Sequence, residues 1–201
     1  MRLLKQFFLH QDVVTLAREI IGKHLFTKLN SDIITGGIIS ETEAYAGSID
    51  RASHAFGNRR TNRTNTMFLE GGIAYVYLCY GIHALFNIVT NKTDVPHAIL
   101  IRGIIPTHGI ETIKERTGYK TILNNSINGP GKVTKALGIN TSHDKTPLTG
   151  AKIWLEDRGV KVSENDIIVT KRIGVDYAGE DALLPYRFVL KGLAVISYVF
   201  K

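Results

Sequence analysis

Apolar residues recur along this chain in two periods, and the switch between them marks its elements. Val13, Leu16, Ala17, Ile20 and Ile21 repeat at helical spacing behind Asp12, an N-cap residue type, which predicts a helix over residues 13–23. From residue 34 to Tyr45 the pattern is strand-like, with Gly36 and Gly37 marking a bulge or bend near the start. Residues 46–70 hold too many Gly, Asn, Thr and Ser for one regular element. Residues 74–80 and 84–91 read as strands joined through Gly81-Ile82-His83, a hairpin signal, and 98–105 is a further β-rich run. Short helices are predicted over 111–116 and 132–137, the second opened by Gly129-Pro130-Gly131 and closed by Gly138. Short strands are predicted at 151–155, 167–170, 186–190 and 193–200. Strands and helices do not alternate regularly. The expected fold class is therefore α+β: a single domain, residues 1–201, with a curved, mostly antiparallel, barrel-like β-sheet core flanked by α-helices.

Composition narrows the class. With 44% hydrophobic and 21% charged residues and 5 prolines, the chain is not collagen-like, low-complexity or disordered. A formal net charge of +7 favours a polyanionic partner. The single cysteine, Cys79, excludes a disulfide framework and a zinc cluster, and is expected to be a small buried apolar residue. No apolar run approaches the ~18 residues of a membrane span. Lys5, His10 and Asp12 interrupt the N-terminal apolar stretch too early for a signal peptide, so the expectation is an intracellular protein with no membrane partner.

The chemistry concentrates in Glu41-Thr42-Glu43-Ala44-Tyr45. On a strand, Glu41, Glu43 and Tyr45 share one face. A solvent-facing charged edge would explain them, and three chemical readings compete with it. Glu41, Glu43, Asp50 and His54 would suit a hard cation. A carboxylate could instead activate water toward an electron-poor sugar carbon. A nuclease core is the third, although Glu43 stands where such a core carries lysine. Residues 51–69 contain no acid and four arginines, Arg51, Arg59, Arg60 and Arg63, amid Asn and Thr, which suits phosphate contacts. Tyr75, Tyr77 and Tyr80 add aromatics, and tyrosines beside a basic loop can stack on bases. Tyr75 is expected to be a packing residue.

At these residues the chain resembles the alkyladenine DNA glycosylases, also called 3-methyladenine or N-methylpurine DNA glycosylases. The matching text is Glu41 to Tyr45, Asp50, Ala52-Ser53-His54-Ala55, Arg60-Thr61, Arg63, Met67-Phe68, Tyr75-Val76-Tyr77 and Tyr80-Gly81. It continues through Asn87, Ala98 to Arg102, Asn128 to Lys132, Ala136-Leu137-Gly138, Arg172-Ile173-Gly174 and Pro185 to Phe188. The similarity runs in order from about residue 10 to 190. It implies excision of an alkylated or deaminated purine, flipped out of double-stranded DNA, by hydrolysis of its N-glycosidic bond. An abasic site would remain, without strand cleavage. The resemblance makes Glu43 the general base for the attacking water, positioned with Arg102 and the main-chain carbonyl of Ile173. Tyr45 and Tyr77 would sandwich the base, with His54 at its edge. Asn87 would crowd the exocyclic amine of ordinary guanine, and Tyr80 would fill the gap in the duplex. Arg59, Arg60, Arg63 and Lys132 are the expected DNA contacts. No cofactor and no metal are expected, and the protein is expected to be a DNA-associated monomer, in the cytoplasm or nucleoid of a prokaryote or the nucleus of a eukaryote.

Two rivals stay open on the sequence: a non-catalytic binder of damaged or single-stranded nucleic acid, and a metal-dependent nuclease. Gly129-Pro130-Gly131-Lys132 is not a nucleotide-hydrolysing loop, because Ser126 and Val133 replace its first glycine and its metal-binding hydroxyl. Glu41 is expected to be a hydrogen-bonded support, Asp50 a brace for its loop, and Trp154 a core residue.

Overall fold

Thr35–Tyr45 is the strand on which the fold is assembled. In the computed structural model, which describes residues 1–29, 32–121 and 127–191, this strand (β2) is bordered along one edge by β5, His97–His108. Its other edge is shared. Residues Thr35 to Ile38 pair with β1, His24–Thr27, and Glu41 to Glu43 pair with β9, Arg187–Leu190. The register of β2 against β5 shifts on both sides of Glu41, and such bulges bend and twist a sheet. Beyond β5 come β4, His83–Thr90, and β3, Ile73–Cys79; beyond β1 comes β7, Ile153–Glu156. β6, Ile127–Asn128, pairs with β5, and β8, Ile167–Thr170, with β9. All these pairings are antiparallel, and the sheet curls into a half-barrel within an α+β domain, as the sequence led us to expect.

Alternation sorts side chains onto two faces. Ala44, Val76, Phe86, Ile88, Ile99 and Ile101 enter the main core. The helices α2 (Val13–Glu19), α3 (Ile110–Thr117) and α4 (Pro130–Leu137) cover that face with Leu16, Ala17, Ile113, Val133, Ala136 and Leu137. Thr42 is buried there and donates to the Ala17 carbonyl at 2.7 Å, so its hydroxyl is satisfied where α2 crosses β2. A short helix, α1 (Lys5–Phe8), adds Phe8. Tyr75, Val89 and Ala98 point the other way and pack with Ala55, Met67 and Phe68.

Most predicted elements exist, with moved ends. The first amphipathic helix stops at Glu19, and Asp12 caps it as expected, its side chain accepting from Val14 N–H. The 98–105 run extends to His108. β1 was not predicted: all four of its residues are buried, so the segment carries no polar alternation. The predicted strand at 193–200 lies outside the described residues.

Gly36 and Gly37 do mark an irregularity, because the register shifts between them. A Cβ on Gly37 would meet the Ile105 carbonyl oxygen at 2.4 Å, backbone that cannot move aside without parting β2 from β5. Gly37→Ala is expected to lower stability by about 1–3 kcal/mol, the cost of overpacking. Chemical denaturation measures it, and an unchanged midpoint would show that the two strands can separate freely.

Candidate active site

The face opposite the helices is built from one row of the sheet. Tyr75 pairs with Asn87, Asn87 with Leu100, Leu100 with Glu43, and Glu43 with Arg187. Residues in such a row point to the same face, so backbone pairing alone gathers a phenol, an amide and a carboxylate from three strands. The neighbouring row sets Tyr45 opposite Ala98. Between this face and the loops above it lies a cavity of about 910 Å³. Tyr45, His54, Tyr77, Asn87, Arg102 and Ile173 all line it.

Glu43 sits behind that lining with its side chain 0% exposed. Its carboxylate accepts from the Tyr45 hydroxyl at 2.9 Å and from the Ile173 amide N–H at 2.8 Å. Arg102 approaches both oxygens, Nε lying 3.4 Å from Oε1 and Nη1 3.5 Å from Oε2. A carboxylate offers about four acceptor positions; the hydrogen bonds from the Tyr45 hydroxyl, the Ile173 N–H and Arg102 Nη1 take three, Arg102 Nε being bonded to Glu41, and leave room for one more. Burial pushes the Glu43 carboxyl above its usual range, against the downward pull of Arg102, the Ile173 N–H and the Tyr45 hydroxyl. Glu41, on the same strand face, is occupied elsewhere: its Oε1 accepts from Arg102 Nε at 2.9 Å and Arg187 Nε at 2.7 Å, as a support would.

The segment carrying Ile173 is fixed by a buried ion pair. Arg172 Nη2 donates to Asp50 Oδ1 at 2.8 Å, and its Nη1 reaches Asp50 Oδ2 and the Ala44 carbonyl. The two side chains are 0% and 1% exposed. Asp50 also accepts from the amides of Ala46 and Ala52, so it braces its loop. The guanidinium of Arg172 lies 4.9 Å from the centroid of the Tyr45 ring and 5.2 Å from that of Tyr186. The pair was not read from the sequence, where its members stand 122 residues apart.

His54 is held by Tyr75. Its Nδ1 lies 3.1 Å from the Tyr75 hydroxyl, and its ring meets Tyr77 edge-on at 4.8 Å. Burial, with repulsion from Arg63 and Arg59, lowers the His54 pKa to about 4, so the ring is neutral at physiological pH. Tyr75 therefore does more than the packing expected of it. Asn87 is buried and donates from Nδ2 to the Tyr75 carbonyl at 3.1 Å, which fixes its amide at the cavity wall. Cys79 also departs from expectation: it is half-buried and lines the cavity.

The cationic residues divide. Arg63 lines the cavity, its guanidinium 4.5 Å from the Tyr77 ring centroid. Lys132 lines it too, at the start of α4, and is exposed. The Gly129 amide, just before α4, donates to the Arg102 carbonyl at 2.8 Å and ties that helix to the site. Arg59 is exposed, whereas Arg60 is paired with Asp94 and lies 4.1 Å from the Phe68 ring centroid. Tyr80 stands at the tip of the β3–β4 hairpin, 91% exposed. Its φ is +50°, a left-handed conformation uncommon for a bulky residue and of the kind found where function holds the backbone. Tyr177, which sequence reasoning passed over, lines the mouth, its hydroxyl anchored to the Ala52 carbonyl at 3.0 Å.

The four residues weighed for a cation do not converge. Glu41 is bonded to two arginines, Asp50 to Arg172, Glu43 to its three donors, and His54 to Tyr75. Among the described residues no group of three or more His, Cys, Asp or Glu side chains could hold a metal ion, and no helix is long and apolar enough to cross a membrane.

The fold is a curled antiparallel sheet bearing an aromatic cavity over a sealed carboxylate. The family model described as methylpurine-DNA glycosylase matches residues 7–194, and the chain belongs to that family. A protein of Chlamydia felis is 44% identical over 187 residues, covering 92% of this chain and 94% of its own. One from Bdellovibrio bacteriovorus is 41% identical over 197 residues, 97% of this chain and 98% of its own. One from Clostridium perfringens is 38% identical over 205 residues, 98% and 99% of the two chains. Each carries the name "Putative 3-methyladenine DNA glycosylase".

Breaking the buried pair by Arg172→Met leaves Asp50 charged and uncompensated. The expected loss is about 3–5 kcal/mol by denaturant titration. A loss below about 1 kcal/mol, the scale of a surface pair, would remove the brace from this account.

Proposed function

We propose that this protein is a monofunctional 3-methyladenine DNA glycosylase of DNA repair. It binds double-stranded DNA, takes a damaged purine into the cavity and hydrolyses its N-glycosidic bond. The observation that carries this reading is the sealed Glu43 carboxylate, bonded to Tyr45, Arg102 and Ile173, each of which lines the cavity.

Chemistry inside a duplex requires the nucleotide to leave the stack, at a cost of a few kcal/mol that is least for a damaged pair. Tyr80, exposed on its strained turn, enters the space the nucleotide vacates. The base slides between Tyr45 and Tyr77, whose electron-rich faces attract the positive charge of an alkylated purine. His54, neutral and held by Tyr75, meets the base edge. Asn87, its amide fixed on the Tyr75 carbonyl, stands where it crowds the exocyclic amine of guanine. Arg59, Arg63 and Lys132 hold phosphates, and Arg60 joins them by exchanging Asp94 for the strand.

At C1′ the bond to the base breaks and the base leaves with its electron pair. Water adds its oxygen to C1′, and its proton goes to the vacant position on Glu43. Arg102 and the Ile173 carbonyl orient that water. A cationic purine is a good leaving group, so most of the help is needed on the water side. A deaminated purine, neutral and a poorer leaving group, falls within the same scheme at a lower rate. The product is an abasic site in an unbroken strand.

Glu43→Gln is expected to lower single-turnover release of 3-methyladenine by about 10²–10⁴-fold while duplex binding persists. Wild-type release at saturating enzyme would sink the assignment, and binding with no release by the wild type would leave a damage binder. Release is expected to fall on acidification at a pH above the usual carboxylate range, because burial raises the Glu43 pKa and only the ionised form accepts a proton. Tyr80→Ser should change stability by less than about 0.5 kcal/mol, as expected at so exposed a position. Its release from duplex should fall more than its release from single strands; an equal fall on both would deny Tyr80 the wedge.

A further inference from the structure

Arg102 lies between two carboxylates. Its Nε is 2.9 Å from Glu41 Oε1 and 3.4 Å from Glu43 Oε1, so the closer partner is the one with no part in the proposed chemistry. The same Glu41 oxygen accepts from Arg187 Nε at 2.7 Å. Arg187 stands opposite Glu43 across the β2–β9 pairing, yet its side chain is bonded to Glu41. The four groups form a chain of alternating charge, Arg187, Glu41, Arg102, Glu43, with side chains 21%, 8%, 12% and 0% exposed. Little of it is screened by water, so each member feels the next strongly.

We propose that Glu41 and Arg187 are positioning residues of the reaction: Glu41 competes with Glu43 for Arg102 and so leaves Glu43 a stronger base, while Arg187 sets how hard Glu41 competes. This rests on Glu43 acting as the base. An arginine committed wholly to Glu43 would hold the carboxylate ionised but blunt its pull on a proton. Divided between two acids, Arg102 still keeps Glu43 in register. The other groups facing Glu43 are the Tyr45 hydroxyl on β2 and, from the segment after β8, the Ile173 amide and Arg172. Arg172 is itself paired with Asp50. The charge of Glu41 acts on Glu43 in the upward direction, as this chain requires.

The test is the pH profile of single-turnover 3-methyladenine release from dimethyl-sulfate-treated duplex DNA, with enzyme in excess. The leaving group carries a fixed positive charge, so the acid limb belongs to the protein. Glu41→Gln can still accept from both arginines but carries no charge. Its limb should move down by about one pH unit, the scale of a neighbouring charge on a carboxylate, and its plateau should fall. Arg187→Met leaves Glu41 uncompensated, and its limb should move up, with Arg187→Lys returning it toward the wild type. Opposite shifts are a signature that loss of packing does not give. Limbs that stay put, or move together, overturn the proposal. If Glu41→Gln fails to fold, as judged by circular dichroism, the two Arg187 variants decide alone. Glu43→Gln separates the two ideas: if it remains active, the base assignment falls; if it is inactive while the limbs of the other variants are unmoved, only this inference falls.

Discussion

A carboxylate sealed from solvent must be held by donors or it takes up a proton, and the arrangement around Glu43 answers that constraint. Burial opposes ionisation; Arg102, the Ile173 N–H and the Tyr45 hydroxyl support it. Each donor arrives from a different part of the fold. Tyr45 is two residues along the same strand, Arg102 lies on the neighbouring strand, and Ile173 belongs to a segment pinned by Arg172 to Asp50. The donors thus depend on the pairing of β2 with β5 and on one buried ion pair. Loosening either would shift the acid further toward its neutral form, which cannot take a proton from water.

The sheet also separates two demands that conflict. Its helix-covered face carries closely packed apolar side chains and supplies stability. Its other face carries tyrosines, an asparagine and charged groups around a cavity, an arrangement that forgoes stability by leaving apolar surface uncovered. Period-two alternation lets the same strands serve both. The bulge around Glu41 falls where β2 leaves β1 and takes up β9, which brings Arg187 beside the acids. Bulges next to functional sites re-aim side chains in this way.

Much of this was legible in the sequence wherever the information was local. Glu41, Glu43 and Tyr45 share a face because they alternate on a strand, and Tyr75 and Tyr77 for the same reason. The hairpin tip at Tyr80 could be read from Gly81. The pairing of distant charges was not legible. Asp50 and Arg172 are 122 residues apart, and Glu41 and Arg187 146, so nothing near either residue announces its partner. The partner of Arg60 was hidden for a related reason: Asp94 lies outside the basic segment. β1 escaped because burial on both sides erases the alternation that reveals a half-exposed strand. The Tyr75 hydroxyl on His54 depends on how the loop over the cavity folds back, which strand periodicity does not encode.

The long-range pairs explain why the acid and its supports come from opposite ends of the chain. Residues near 41–54 bring the acids and His54; residues near 172–187 bring the arginine brace, the Ile173 amide and Arg187. Neither stretch alone supplies the donors from which Glu43 accepts. Ions buried without partners cost several kcal/mol each, so a partly assembled site is less stable than the complete one. Completion of the site therefore depends on the pairing of β9 with β2, which sets Arg187 opposite Glu43 and within reach of Glu41. The chain of charges proposed to tune the acid includes a member carried by β9, so on that proposal the reactivity of Glu43 is coupled to the integrity of the sheet.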